Sequence, residues 1–170
     1  MCEGGPWIML TAGKAAPYWE LSSTDGKQYS LKDGLAKGPV VLAFFKVECP
    51  VCQFTFPFLE RLYQQLKAPG VQIWGISQSD QRATLRFAKE YGVTFPLLID
   101  DYPYETSRRH QLEYVPSIFL IGPDDKIRIA SDGFSKADLL AIQKILAQQH
   151  ALAPPELFQP RERIPEYRPG

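Results

Sequence analysis

The feature that most narrows the fold is a run of six apolar residues, Val40-Val-Leu-Ala-Phe-Phe45, entered from Gly38-Pro39 and followed by Cys49-Pro-Val-Cys52. A run this short, β-branched at its start and bounded by turn formers, reads as a strand buried on both faces. After Pro50 the apolar spacing becomes helical, from about Val51 to Leu66, and stops before Pro69-Gly70. The alternation then recurs. Val71 to Ser77 reads as a strand, and Asp80 to Tyr91 as a helix capped by Asp80 and closed by Gly92. Pro96 to Asp100 gives a third buried strand, and Glu105 to Leu112 a short helical stretch. Ser117 to Gly122 and Ile127 to Ala130 flank the hairpin signal Pro123-Asp-Asp-Lys126, and a last helix runs from Ser135 to about His150. Strands separated by helices imply parallel β-α-β units, and the closing hairpin adds antiparallel strands. The expectation is an α/β fold with a mixed central sheet and helices on both faces.

Upstream, Asp25-Gly26 lies between Tyr18-Trp-Glu-Leu21 and Gln28-Tyr-Ser-Leu31, which predicts an N-terminal β-hairpin. Residues 1–14, with Gly4, Gly5, Pro6 and Gly13, read as a flexible lead-in, and 15–150 as the domain. From Ala151 onward there are five prolines in twenty residues, so 151–170 is expected to be an extended tail, loose or laid over the domain. The 170 residues fit one domain, with no internal repeat. Nineteen basic and nineteen acidic side chains cancel, which argues against a nucleic-acid or anionic-membrane partner. No run approaches the ~18 apolar residues of a membrane span. The first residues lack the basic and apolar regions of a signal peptide. With only three cysteines in the chain, these features predict a cytoplasmic protein.

Two of those cysteines carry the chemistry. A buried strand delivers the chain to Cys49, and Pro50 stands where the first helical residue belongs, a position proline favours. Cys49 is therefore expected near free backbone N–H groups and the positive end of a helix dipole, which favour the thiolate. Such placements lower a cysteine pKa from ~8.5 into roughly 3.5–7.5. Cys52 follows almost one turn later, within reach of the first sulfur. That geometry suits attack by Cys49 on a disulfide and resolution of the mixed disulfide by Cys52. A structural zinc site would need four ligands, and only Cys2, His110 and His150 remain, none paired. Inert packing of both cysteines fits poorly with a proline between them at a strand-to-helix junction.

From about 15 to 150 the chain resembles the thioredoxin fold, and within it the redoxin group, which joins thiol-disulfide oxidoreductases to AhpC/TSA-like, peroxiredoxin-related proteins. Ala16-Pro17-Tyr-Trp-Glu-Leu and Asp25-Gly26-Lys27 resemble that group's N-terminal hairpin. Val40 to Phe45 with Cys49-Pro-Val-Cys52 resembles its active-site strand and helix start, with Pro57 at a recurring proline. Val115-Pro116-Ser-Ile-Phe-Leu-Ile121 resembles the segment that places a cis-proline opposite the cysteines. The resemblance implies a cis Val115–Pro116 bond, with the Val115 backbone free to pair with an extended client segment. X–Pro bonds alone adopt cis at modest cost.

Three positions depart from the family. Ala43 stands where thioredoxins carry a buried carboxylate, Thr55 where related reductases carry a glutamate, and Glu48 where a tryptophan is usual. The expected proton acceptor for Cys52 is thus missing. Glu48 would disfavour a neighbouring thiolate and Lys46 would favour it, leaving the net effect open. A peroxidase reading is weakened because Leu42 and Lys46 replace the proline and the hydroxyl residue of peroxiredoxins, and neither Arg109 nor Arg128 stands out as the required arginine. A metal chaperone using both thiols would need an imidazole from His110 or His150. The sequence therefore predicts a thiol-disulfide oxidoreductase in which Cys49 and Cys52 react, and Val115, Pro116, Pro50, Val51, Glu48 and Lys46 shape the site. No cofactor or metal beyond the cysteine pair is expected. Partners would be disulfide-containing client proteins or small thiols, with electrons from a dithiol protein such as a thioredoxin.

Overall fold

The computed structural model describes residues 9–170. Most of the predicted lead-in and Cys2 lie outside that range. The elements run β1 (Glu20–Ser22), β2 (Gln28–Ser30), α1 (Leu31–Leu35), β3 (Val40–Phe45), α2 (Pro50–Leu66), β4 (Gln72–Ser77), α3 (Gln81–Tyr91) and β5 (Leu97–Ile99). They continue with α4 (Glu105–Arg109), β6 (Ser117–Ile121), β7 (Ile127–Asp132), β8 (Phe134–Ser135), α5 (Lys136–Gln149) and β9 (Tyr167–Arg168).

The central sheet has the order β5-β4-β3-β6-β7. Strands β3, β4 and β5 are parallel, whereas β6 is antiparallel to β3, and β7 to β6. Two successive crossovers in the same direction, both right-handed by rule, send α2 and α3 to the same face. Packing agrees: Val41, Ala43 and Phe45 meet Phe56, Leu59 and Leu62 of α2, Phe87 of α3 and Ile142 of α5 in one cluster. The alternate residues of β3, namely Val40, Leu42 and Phe44, project to the other face. There Trp19, Leu31 and Leu35 cover them, together with Trp74 from β4. A strand buried throughout its length follows, as the unbroken apolar run requires.

Several details differ from the sequence reading. Helix α1 was not expected; Ser30 caps it by accepting from the Asp33 N–H at 3.1 Å. The stretch after β5 stays helical only to Arg109, and Gln111 adopts a left-handed φ of 55°. Residues 10–16, counted mostly as lead-in, are tied to the body by Leu10 N–H to His110 O, Gly13 N–H to Ile127 O and Ala16 N–H to Asp125 O. The tail is laid over the domain and contains a short strand, β9, paired antiparallel with β8. Tyr102–Pro103 is a second cis bond besides Val115–Pro116.

One buried titratable group sits in the core. His110 is fully buried, its ring 4.7 Å from Phe44 and 5.2 Å from Phe119 between centroids. The Nδ1 pairs with Thr106 O at 2.8 Å, and Nε2 has no hydrogen-bond partner among the described residues. Burial penalises the imidazolium and pushes the pKa down to about 4, against weaker raising effects of Thr106 O and Asp100. Below about pH 6.5 the unfolded chain takes up this proton and the folded chain does not, so stability is full above that pH and falls as pH drops towards 4. The loss amounts to up to roughly 3 kcal/mol. Urea unfolding of wild type and His110→Leu across this range should show a steeper acid loss in wild type; parallel curves would contradict the assignment.

Candidate active site

β3 ends at Phe45, and a tight turn closed by Cys49 N–H to Lys46 O at 3.3 Å leads into α2. The turn is held from both sides. Val47 N–H donates to Ser79 Oγ at 3.2 Å, and Gln53 Nε2 donates to Val47 O at 2.9 Å. Cys49 is the N-cap of α2, with extended φ and ψ of −78° and 115°, and Pro50 takes the first helical turn. Its Sγ accepts from the Cys52 N–H at 3.2 Å and lies 3.4 Å from Val115 O. The two contacts suit different states: a thiol can donate to the carbonyl, while a thiolate draws on the N–H and the helix dipole.

The two sulfurs have unlike surroundings. Cys49 is partly exposed, whereas Cys52 is fully buried in the cluster with Ala43, Phe56 and Leu59. Burial pushes the Cys52 thiol well above the ordinary cysteine range, and its hydrogen bond with Cys49 adds to the shift. The charge of Glu48 contributes a smaller rise in the same direction. No carboxylate stands at 43 or 55 to take the proton: Ala43 packs in the core, and Thr55 donates its buried hydroxyl to Val51 O at 2.6 Å. Both residues occupy the places that the sequence comparison assigned to acids, and neither can accept the Cys52 proton.

The Val115–Pro116 bond is cis. Pro116 is buried and Val115 partly exposed, and Ser117 Oγ donates to Tyr114 O at 2.7 Å within the same loop. An open depression of about 470 Å³ contains Cys49, Lys46, Pro50, Gln78, residues 112–115 and Gly170. Of the residues picked from sequence, Cys49, Lys46, Pro50 and Val115 come together there, with Pro116 behind Val115. Val51 and Cys52 lie on the inner side of the first helical turn, and Glu48 is exposed beside the depression without lining it. Gln78, Tyr114 and Gly170 were not anticipated. Gln78 is placed by its N–H donating to Phe45 O at 3.0 Å, a link that only the sheet pairing reveals.

The residues offered for other chemistries lie elsewhere. His110 belongs to the opposite face of the sheet from Cys52, and His150 Nδ1 pairs with Leu146 O at the end of α5. Arg109 binds Glu105 and Tyr18 O, and Arg128 binds Asp124 in the β6–β7 hairpin. Phe54 packs edge-on against Phe58 and Phe134, with the Arg168 guanidinium 4.7 Å over its ring.

Comparison with known proteins agrees with this geometry. Thiol-disulfide oxidoreductase ResA of Bacillus subtilis is 32% identical over 119 residues, covering 69% of this chain and 65% of that protein. The chain thus spans just under two thirds of that relative's length. The thioredoxin domain of a Bacteroides vulgatus thiol-disulfide oxidoreductase superposes with a TM-score of 0.71 at 22% identity, covering 81% of this chain and 99% of the other. Peroxidoxin BcpB of Mycobacterium tuberculosis superposes with a TM-score of 0.68, also at 22% identity, over 85% of this chain and 99% of the other. Both superpositions show that the fold is thioredoxin-like. Residues 12–130 match the AhpC/TSA family, and with the ResA similarity this places the chain in the redoxin family of thioredoxin-fold proteins.

Proposed function

We propose that this protein is a thiol-disulfide oxidoreductase working through Cys49 and Cys52. The observation that carries the reading is the pairing of a partly exposed sulfur at a helix N-cap with a buried one a turn below. The Cys49 thiolate attacks one sulfur of a substrate disulfide, forming a mixed disulfide and expelling a thiolate. Cys52 loses its proton and attacks Cys49 Sγ, closing the Cys49–Cys52 bond and expelling the second thiolate. Two electrons leave the dithiol, and two protons end on the substrate thiols. The pair itself carries both electrons; a dithiol protein or a small thiol returns them.

The peroxidase alternative is less well supported. Lys46 stands where a hydroxyl would hold the peroxide, and Arg109 and Arg128 are bound to acids away from Cys49. The name of the ResA relative supports the exchange reading.

Two expectations follow from the difference between the sulfurs. Cys49→Ser should lower disulfide reduction by at least about a thousandfold, while Cys52→Ser should accumulate a mixed disulfide detectable by mass spectrometry. Full activity in Cys49→Ser would end the proposal. The second expectation concerns pH. Because burial raises the Cys52 pKa, its thiolate is scarce near neutrality and grows about tenfold per pH unit. In single-turnover experiments, decay of a mixed disulfide on Cys49 should accelerate by nearly that factor from pH 7 to 8. A rate independent of pH would show that Cys52 is already ionised.

A further inference from the structure

Residues 151–170 have no part in the exchange chemistry, yet they are fastened at intervals along a route that leads to Cys49. Leu157 is fully buried, and the Phe158 ring lies 5.1 Å from Phe58 and 6.0 Å from Phe134. Arg61 on α2 donates to Leu157 O at 2.8 Å and to both carboxylate oxygens of Glu162 at 2.6 and 3.0 Å. Lys136 N–H donates to Glu166 O at 3.0 Å, β9 pairs with β8, and Arg168 covers Phe54. The last turns of this path need Gly133. Its φ is +66°, and a Cβ there would collide with Arg168 O and touch the backbone of 169 and 170.

Gly133 N–H also donates to Pro116 O at 2.8 Å, so the segment passing over it lies against the cis-proline loop. Gly170 abuts Val115 closely enough that a Cβ on it would collide with Val115 O. The carbonyl expected to be free for a client strand is therefore flanked on one side by Cys49 Sγ and on the other by the backbone of this same chain. What stays open is the depression bounded by Lys46, Pro50, Gln78 and Tyr114.

We propose that residues 166–170 form a strap that sets the substrate class of the dithiol: low-molecular-weight disulfides reach Cys49 with the strap in place, and extended polypeptide disulfides only when it is displaced. The proposal rests on the exchange reading and deepens it. Arg168 is the natural point to test, because its contact with Phe54 is the last side-chain fastening before Val115. Phe54 also lies on α2, outside the reacting pair. Losing one cation–π contact raises the population of the displaced strap by about fivefold.

The experiment compares wild type, Arg168→Glu and Arg168→Lys as dithiols. With insulin as the polypeptide disulfide, kcat/KM should rise about fivefold in Arg168→Glu. With oxidised glutathione it should stay within about twofold, and Arg168→Lys should resemble wild type on both substrates. An unchanged insulin rate, or equal gains on both substrates, would overturn the strap. A second readout is independent of turnover: the rate at which Cys49 reacts with a polymer-linked maleimide relative to iodoacetamide. That ratio should rise in Arg168→Glu, and an unchanged ratio would overturn the proposal. Absence of disulfide reduction in wild type would instead count against the exchange reading, with the labelling ratio still deciding the strap.

Discussion

Antiparallel pairing of β3 with β6 is the constraint on which the site depends. In its register Phe44 faces Ser117, so the end of one strand and the beginning of the other lie side by side. The chain leaves β3 towards Cys49 and enters β6 from Pro116, and the two segments meet with Cys49 Sγ 3.4 Å from Val115 O. Parallel pairing of β3 with β4 secures the other flank and puts Gln78 beside Phe45. Neither loop needs rigidity of its own, because adjacent strands of one sheet position both.

The second determinant is the unequal burial of the two sulfurs. An N-cap position keeps Cys49 at the surface with a backbone donor aimed at it, and the next turn carries Cys52 into the apolar layer between α2 and the sheet. The substitution of Ala43 and Thr55 for acids leaves that layer almost without polar help for proton removal. In the proposed exchange, resolution therefore turns on how readily the buried Cys52 gives up its proton. In the proposed strap, the chain's own backbone lies against the cis-proline loop and selects which disulfides reach the sulfur.

Much of this was legible in the amino-acid pattern, and the reasons for success and failure are physical. Val40 to Phe45 and the segment after Pro50 declare themselves by local periodicity, and Ser135 and Asp80 cap the helices they were expected to start. Helix α1 was overlooked although Ser30 stands three residues before Asp33, because five residues are too few to show a helical period. The docking of the tail could not be read. Prolines do argue against long regular elements there, but its fastening depends on pairs such as Arg61 and Glu162, which lie 101 positions apart. The burial of His110 is of the same kind, since the rings around it come from β3 and β6. Of the residues that line the depression, Cys49 and Pro50 stand out in sequence because they share one local motif, whereas Gln78 and Gly170 are brought there by pairing and do not.

The most direct test of the central claim sets two oxidants against each other on one sample. The reduced protein is mixed separately with a disulfide and with hydrogen peroxide, and loss of free thiol is followed in wild type and in Cys49→Ser. The account predicts that the disulfide oxidises wild type through Cys49, while peroxide reacts no faster than it does with an ordinary protein thiolate. Peroxide reacting at Cys49 orders of magnitude faster than the disulfide would contradict it and make the protein a peroxidase.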